Sequence, residues 1–497
     1  MASLVMAIDQ GTTGTTVLLL DDNGKLVTRA YGEIRQYYPR PGWVEHDGEE
    51  IFASVRALAA RALRQARARA SDIAAIGLAN QRETLLVWDK TSGQPVAPAI
   101  VWQCRRSAEI CREMRAHQDV IRRRTGLLLD PYFSASKLKW LLDSSPLLRR
   151  RAARGKLCFG TIESWLIYRL SGGQVHVSDY TNASRTLLLN LRTRQWDPVM
   201  LDLFGVPPEM LPKVVPSRGP LAETAAGMIG VRALPIASAI GDQQAALFGL
   251  DAVSAGDTKV TYGTGAFMLM HTGTRLVTSR NRLLTTLALG PQGEPAAALE
   301  GSIFVAGAVV QWLRDGLKLI KRAADTERLI ASASPNADQT YFVPAFVGLG
   351  APWWDSEARG AIVGLTRGTT AADIVRAGVE SIAYQVADVL SAMERDCGKR
   401  IVRLQADGGA AANDYLLQFQ ADLLGRPVQR ASLLEATAAG AAKLAGMACG
   451  LWPAPPPLTE AKVRRFLPRI SSRERTRRVR GWHAAVGRIL TQPPPTK

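Results

Sequence analysis

No run of apolar residues in this chain approaches the roughly 18 that a membrane span requires, so membrane insertion is not expected. Residues 1–9 lack the basic start, apolar stretch and cleavage site of a secretory signal, and the expectation is a soluble, cytoplasmic protein. Cysteine is scarce: Cys104, Cys111, Cys158, Cys397 and Cys449 are odd in number, far apart and without a C-x-x-C pair. That argues for reduced structural thiols and against a disulfide frame or a cysteine-held metal. There are five histidines, among them His46, His117 and His271, and none sits in a ligand pattern such as H-E-x-x-H, which leaves only a transient Mg²⁺. Also absent are the G-x-x-x-x-G-K-[ST] loop and the H-R-D and D-F-G sequences of protein kinases. Phosphate, if this chain handles it, is held in another way.

What is present is 497 residues, 47% hydrophobic and 21% charged, enough for two or three domains with a cleft between them. The net charge of +18 raises the question of a nucleic-acid partner. Its distribution answers it. In 51–70 the apolar residues Ile51, Val55, Leu58, Ala59 and Ala62 recur at helical spacing, whereas Arg61, Arg64 and Arg67 fall on another face. The runs at 122–124, 149–151 and 473–480 have no interleaved aromatics for base stacking. No nucleic acid is expected, only a basic exterior that attracts anionic metabolites.

Along the chain, apolar 4–8, a turn at Gly11–Gly14, apolar 17–20 and Asp22-Asn23-Gly24 predict a β-meander. A strand over 73–78 runs into Asn80-Gln81-Arg82-Glu83, and helical patterns fill 134–142 and 161–170. A strand after Pro235 ends at Gly241-Asp242-Gln243-Gln244, and a second hairpin spans 258–270 with Gly263 and Gly265 at its bend. The likeness of the two hairpins predicts two similarly built domains, 1–250 and 251–497. Helices are expected over 305–320 and 371–393, then a strand at 402–405, the turn Asp407-Gly408-Gly409 and a helix over 410–424 stopped by Gly425 and Pro427. From Pro453 the chain is rich in proline and arginine, and its tip, 491–497, is expected to fray.

Three glycine turns follow strands, and each is a candidate phosphate site. At the first, Asp9 is a carboxylate able to hold Mg²⁺ through water, while the N–H groups of Gly11–Gly14 and the hydroxyls of Thr12 and Thr13 face an anion. An ordinary hairpin turn is the plain alternative. Gly263-Thr264-Gly265 is the second and Gly408-Gly409 the third. Gly307 and Gln311, like Gly409 and Asn413, are four apart, which on a helix puts bare backbone beside an amide, fit for a base or ribose or for a close helix contact. Asp242 ends an apolar strand and reads as a general base for an attacking hydroxyl or as a helix N-cap. Arg82-Glu83 reads as a set of donors and acceptors for several hydroxyls or as a surface ion pair.

Longer phrases resolve part of this ambiguity. Asp9-Gln10-Gly11-Thr12-Thr13, Pro41-Gly42-Trp43-Val44-Glu45-His46-Asp47, Asn80-Gln81-Arg82-Glu83-Thr84, Trp102-Gln103-Cys104-Arg105-Arg106, Asp130-Pro131-Tyr132-Phe133-Ser134, Gly241-Asp242-Gln243-Gln244, Tyr262-Gly263-Thr264-Gly265 and Asp407-Gly408-Gly409 resemble, in order over 4–452, the glycerol kinases of the FGGY carbohydrate kinase family. The resemblance implies an α/β fold of two actin-like (ribonuclease H-like) domains flanking an ATP/substrate cleft, and ATP-dependent phosphorylation of glycerol in its uptake and catabolism. A kinase of another small polyol or a ketose is the alternative. It further implies that Arg82, Glu83, Tyr132, Asp242 and Gln243 bind the polyol, with Asp242 as base, and that Trp102 and Phe267 wall its carbons. Thr12, Thr13, Gly14, Thr16 and Thr264 would face the phosphates, Asp9 the Mg²⁺, and Gly307, Gln311, Gly409 and Asn413 the nucleotide. A homo-oligomer, dimer or tetramer, is expected on the same ground. The chain departs from its relatives at Gly14, where a serine is usual, and at Thr16, where an arginine is usual, so weaker nucleotide binding or a substitute cation is expected. The stretch 225–234 and the segment 474–480 match the regulatory sites of some members too loosely for either regulation to be carried over.

Overall fold

The computed structural model describes residues 3–334, 339–355, 357–431, 435–456 and 463–491. The expected meander forms: β1 (Leu4–Gln10), β2 (Gly14–Leu20) and β3 (Leu26–Glu33) pair antiparallel in sequence. Next, β4 (Ile73–Asn80) joins β1 in parallel; β6 (Pro235–Gly241) joins β4 in parallel, and β5 (Arg218–Glu223) closes the edge. The order is β5-β6-β4-β1-β2-β3. Five of the seven residues of β1, and six of the eight of β4, are apolar or glycine and buried, as strands covered on both faces must be.

The second half repeats the plan. Strands β7 (Asp257–Tyr262), β8 (Ala266–Gly273) and β10 (Pro295–Ile303) form the meander, and β9 (Leu284–Leu289) is an extra edge strand on β10. In parallel with β7 come β11 (Arg403–Asp407) and then β12 (Val428–Arg430), with β13 (Arg464–Phe466) antiparallel at the far edge. The order β9-β10-β8-β7-β11-β12-β13 matches the first sheet strand for strand apart from β9.

Helix α1 (Gly48–Gln65) starts where Asp47 accepts the N–H groups of Glu49 and Glu50, and it buries Ile51, Val55, Leu58, Ala59 and Ala62 while Arg61 and Arg64 stay in solvent. Helices α2 (Asp242–Gly249) and α6 (Ala436–Ala448) tie the halves together. Ala438, Ala441, Ala442 and Ala445 of α6, from the second half, pack on Val5, Ala7, Ala75 and Ala79 of the first sheet. In return Leu247 of α2 packs on Leu269, Ala288 and Ala298 of the second. The small side chains let α2 and α6 also lie on each other. So the halves, although each has its own sheet, exchange a helix.

Several expected boundaries shift. Helix α3 is shorter (Gly307–Asp315) and α4 longer (Ala371–Cys397) than the periodicity predicts. The helix expected over 410–424 is divided: Gly409–Ala412 is a single 3-10 turn, and α5 runs Asp414–Leu424 from an Asn413 cap. The basic stretch after 471 is a packed helix, α7 (Ser472–Gly487), that buries Trp482, Ala485 and Val486 in the second core. The expected fraying falls on 491–497, of which 492–497 lie outside the described residues. All five cysteines are free, and among the described residues no helix is long and apolar enough to cross a membrane.

Candidate active site

Parallel strands present their carboxyl ends on one edge of a sheet, where ligands of open α/β sheets bind. Here β1, β4 and β6 end at Gln10, Asn80 and Gly241, which puts Asp9, Arg82-Glu83 and Asp242 at that edge. On the second sheet β7 and β11 end at Tyr262 and Asp407, followed by the other two glycine turns.

Arg82 is the hub of the first group. Its Nε lies 3.1 Å from Asp242 Oδ1 and 3.9 Å from Glu83 Oε1, and its side chain is 2% exposed. Arg82-Glu83 is thus no surface ion pair. Gly241 makes this possible, because a Cβ there would lie 2.7 Å from the Arg82 Cδ. Glu83 adopts φ +62°, a left-handed conformation that costs a non-glycine residue about 1 kcal/mol or more and that marks constrained sites. Burial pushes its carboxyl up, against the pull of Arg82 and Arg185. Asp242 is the first residue of α2 and not its cap, which is Gly241; its Oδ1 accepts the Gln243 N–H at 2.7 Å.

A cluster of aromatic rings meets the first glycine turn at Trp102. Its ring stands edge-on to Tyr132 at 5.6 Å and to Phe267 of β8 at 6.3 Å, and its Nε1 donates to Thr12 Oγ1 at 2.9 Å. One side chain therefore joins Tyr132, the second sheet through Phe267 and the first glycine turn. In that turn Gly11 N–H donates to the Gly14 carbonyl at 2.9 Å, and the Thr13 carbonyl accepts from Ile34 N–H at 3.1 Å, leaving Thr13 exposed. Thr16 is 6% exposed and stands in register between Asp9 and Tyr31.

Burial, then the charges of Asp242 and Glu435, push the Asp9 carboxyl up to about 8. Across the cleft, Asp407 Oδ1 is buried without a hydrogen-bond partner. Asp9 and Asp407 present oxygen atoms of the kind a hard divalent cation takes. Among the described residues no cluster of three or more ligating side chains could hold such an ion alone. Its remaining ligands would be phosphate oxygens and water.

On the second sheet the Thr264 carbonyl accepts the N–H groups of Ala306 (2.8 Å) and Ala308 (3.1 Å), and Gly263 O accepts that of Gly307 (2.9 Å), so the turn at 263–265 is clamped to the start of α3. Thr264 is exposed, and so is Gln311, one turn beyond Gly307 on the same helix. Gly408 lies against the Tyr262 carbonyl and Gly409 is exposed beside it. The expectation that Gly409 and Asn413 share a helical face fails. Asn413 is an extended cap residue whose Oδ1 accepts Leu416 N–H at 2.8 Å and whose Nδ2 donates to Thr326 Oγ1 at 2.9 Å. Its side chain shapes the turn, and the flat bare patch inferred from spacing does not exist.

Three residues of this neighbourhood escape the motif reading. Glu300, in the middle of β10, binds Arg82 through both oxygens (2.6 and 3.1 Å) and Arg185 at 2.8 Å; Arg185 in turn binds Glu83 at 2.6 Å. Despite its burial, Arg185 and Arg82 hold the Glu300 carboxyl below its usual range. Lys259 of β7 is fully buried beside Gln243. For Glu300 the available signal was a lone charge in an apolar strand, after Ala296-Ala297-Ala298-Leu299; Lys259, in the mixed strand Asp257–Tyr262, carried no such mark.

Compared with known proteins, the N-terminal domain of the FGGY family of carbohydrate kinases matches residues 4–249 and its C-terminal domain residues 258–449. Glycerol kinase of Pseudomonas entomophila is 51% identical over 488 residues, 97% of this chain and 96% of its own. Glycerol kinase 2 of Thermotoga maritima is 51% identical over 490 residues, 98% of each. The crystal structure of Plasmodium falciparum glycerol kinase with ADP has a TM-score of 0.93 at 33% identity, over 99% of both chains. Gluconate kinase from Lactobacillus acidophilus shares the fold, with a TM-score of 0.86 at 23% identity over 98% of this chain and 97% of its own. The expected pair of actin-like, ribonuclease H-like domains is borne out.

Proposed function

The chain belongs to the FGGY family of carbohydrate kinases, and on that footing we propose that it transfers the terminal phosphoryl group of ATP to glycerol, yielding sn-glycerol 3-phosphate and ADP. The attacking hydroxyl gives its proton to Asp242 as its oxygen bonds to the γ-phosphorus in line, and the bond to the β-phosphate oxygen breaks. Arg82, Glu83, Tyr132 and Gln243 bind and orient the hydroxyls, and Trp102 and Phe267 enclose the carbons. Thr12, Thr13, Gly14, Thr16 and Thr264 face the phosphates, and Gly307, Gln311, Gly409 and Asn413 line the nucleotide. Asp9 would hold Mg²⁺ through water, and the ion would neutralise phosphate charge. Domains 1–250 and 251–497 close over both substrates and exclude water, which limits futile hydrolysis of ATP.

The observation that carries this reading is the Arg82–Asp242 contact of 3.1 Å, near the ring cluster of Trp102, Tyr132 and Phe267, whose Tyr132 hydroxyl is close enough to act on the Arg82 charge. The rings offer apolar surface to a short carbon chain, and the carboxylate stands at the end of that surface as an acceptor for a hydroxyl hydrogen. The relatives named above, at about half identity across nearly the full chain, support glycerol in particular. A panel of glycerol, other small polyols, ketopentoses and sugar acids, assayed by ADP release from the purified protein, tests it. Glycerol should show the highest kcat/KM; a ketopentose well above glycerol would replace the substrate, and ATP binding without phosphorylation of any of them would remove the activity.

A further inference from the structure

Lys259 of β7 carries a buried charge that the phosphoryl-transfer scheme leaves without a task. Its side chain is 0% exposed. Nζ donates to Gln243 Oε1 at 2.5 Å and to Thr261 Oγ1 at 2.6 Å, both neutral acceptors. Among the described residues no carboxylate stands within ion-pair distance of it; Asp407 and Asp242 act on it only from farther away, and burial draws its proton affinity down. A buried ammonium without a direct counter-ion is costly, and an apolar side chain of similar length would fill the same space more cheaply.

The geometry shows what the ammonium does there. An amide has one end that accepts and one that donates, and either can face a substrate. An ammonium has only hydrogens to offer, so the Gln243 oxygen must face Lys259 and the Gln243 NH₂ must face away from it. Gln243 follows Asp242 on the first turn of α2, at the edge where the polyol is proposed to lie. The neighbours Asp242 and Glu83 are acceptors; they take hydrogens from hydroxyls. A donor is needed for the oxygen of a hydroxyl whose hydrogen is already given to a carboxylate.

We propose that Lys259 is a positioning residue that fixes the sense of the Gln243 amide, so that its NH₂ donates to a substrate hydroxyl oxygen while Asp242 accepts the hydrogen of a hydroxyl. The site thereby selects ligands with an oxygen at this place over those with hydrogen. The inference rests on the polyol-kinase reading above.

Two variants test it, after the polyol panel has been run on the wild type. In Lys259→Met the amide is free to turn; KM for glycerol should rise about tenfold or more while KM for ATP stays put, as loss of one oriented hydrogen bond predicts. In Gln243→Glu the shape is kept and the new carboxylate pairs with Lys259, but the donor is gone. KM for glycerol should again rise about tenfold or more, with the melting temperature unchanged or higher. A wild-type KM for glycerol in Gln243→Glu would mean that an acceptor suffices and would overturn the proposal, as would equal rises in both KM values in Lys259→Met. If Lys259→Met does not fold, Gln243→Glu decides alone. No turnover of glycerol by the wild type would sink the proposed function, whereas wild-type turnover with unaltered variants would sink only the role of Lys259.

Discussion

Replacing Glu300 by glutamine should damage this protein more than any other single exchange of one oxygen for one nitrogen. The Glu300 carboxylate accepts two bonds from Arg82 and one from Arg185, and the exposures of the three side chains are 2%, 2% and 0%. The amide keeps the volume, removes the charge and turns one acceptor into a donor aimed at a guanidinium. Two arginines then share Glu83 and repel each other in a dry site. Breaking one partner of a buried ion pair costs about 3–5 kcal/mol. At roughly 2–4 °C per kcal/mol for a domain of some 150–250 residues, the melting temperature should fall by about 6–20 °C. The pH dependence has a definite sign. Burial alone would raise the Glu300 pKa, but Arg185 and Arg82 win and it lies below the usual value. Its stabilisation is therefore complete above the unfolded pKa, about 4.3, and is lost only as pH falls through the lower folded value, so the gap between wild type and variant should hold from neutral pH to about 5 and close in stronger acid. Calorimetry on the wild type, Glu300→Gln, Arg185→Gln and the double variant is the assay. The double variant removes the surplus cation and should melt higher than the sum of the single losses predicts. Strict additivity, or a Glu300→Gln variant that melts with the wild type, would refute the claim that this network holds Arg82 in place.

Asp242→Asn should retain ADP binding yet lose about 10²–10⁴-fold in kcat on glycerol; turnover near wild type would take the role of base from Asp242. Gly14→Ser should destabilise by about 1–3 kcal/mol, because a Cβ at 14 would lie 2.6 Å from the Gly32 carbonyl and 2.8 Å from the Tyr31 ring. A melting temperature equal to the wild type would show that β3 gives way. Thr16→Arg should tighten ATP binding in equilibrium titration by adding a cation in register with Asp9, and an unchanged Kd would mean that another group already supplies that charge. Lys137 is buried and donates to the Tyr132 carbonyl at 2.5 Å, and burial lowers its pKa to about 8. The unfolded chain keeps that proton up to about pH 10.4, so wild-type stability relative to Lys137→Met should rise between pH 8 and 10, by up to about 1.4 kcal/mol per unit. A difference between the two that is flat in this window would count against the buried amine.

The parts legible in the sequence are those written within a few consecutive residues. Asp9 to Gly14, Arg82-Glu83 and Gly263–Gly265 are strand ends followed by turns, and both hairpins and the doubled plan follow from them. Asn413 misled because spacing of four residues assumes one continuous helix, whereas a cap residue ahead of Asp414 starts a new one. Illegible were the contacts that tie these ends into a site: Glu300 meets Arg82 across 218 residues and Arg185 across 115. No local pattern encodes such a meeting. Yet chemistry leaves a trace, because an ion in the middle of an apolar strand is too costly to keep without partners. Glu300 is such an ion, and Lys259 is buried in register with it on the other strand flanking β8; the residues they engage, Arg82 and Gln243, both come from the first half of the chain. The second sheet thus holds Arg82 and Gln243 of the first half by two buried charges of opposite sign. A rotation of one half against the other that separated these pairs would expose or orphan both charges.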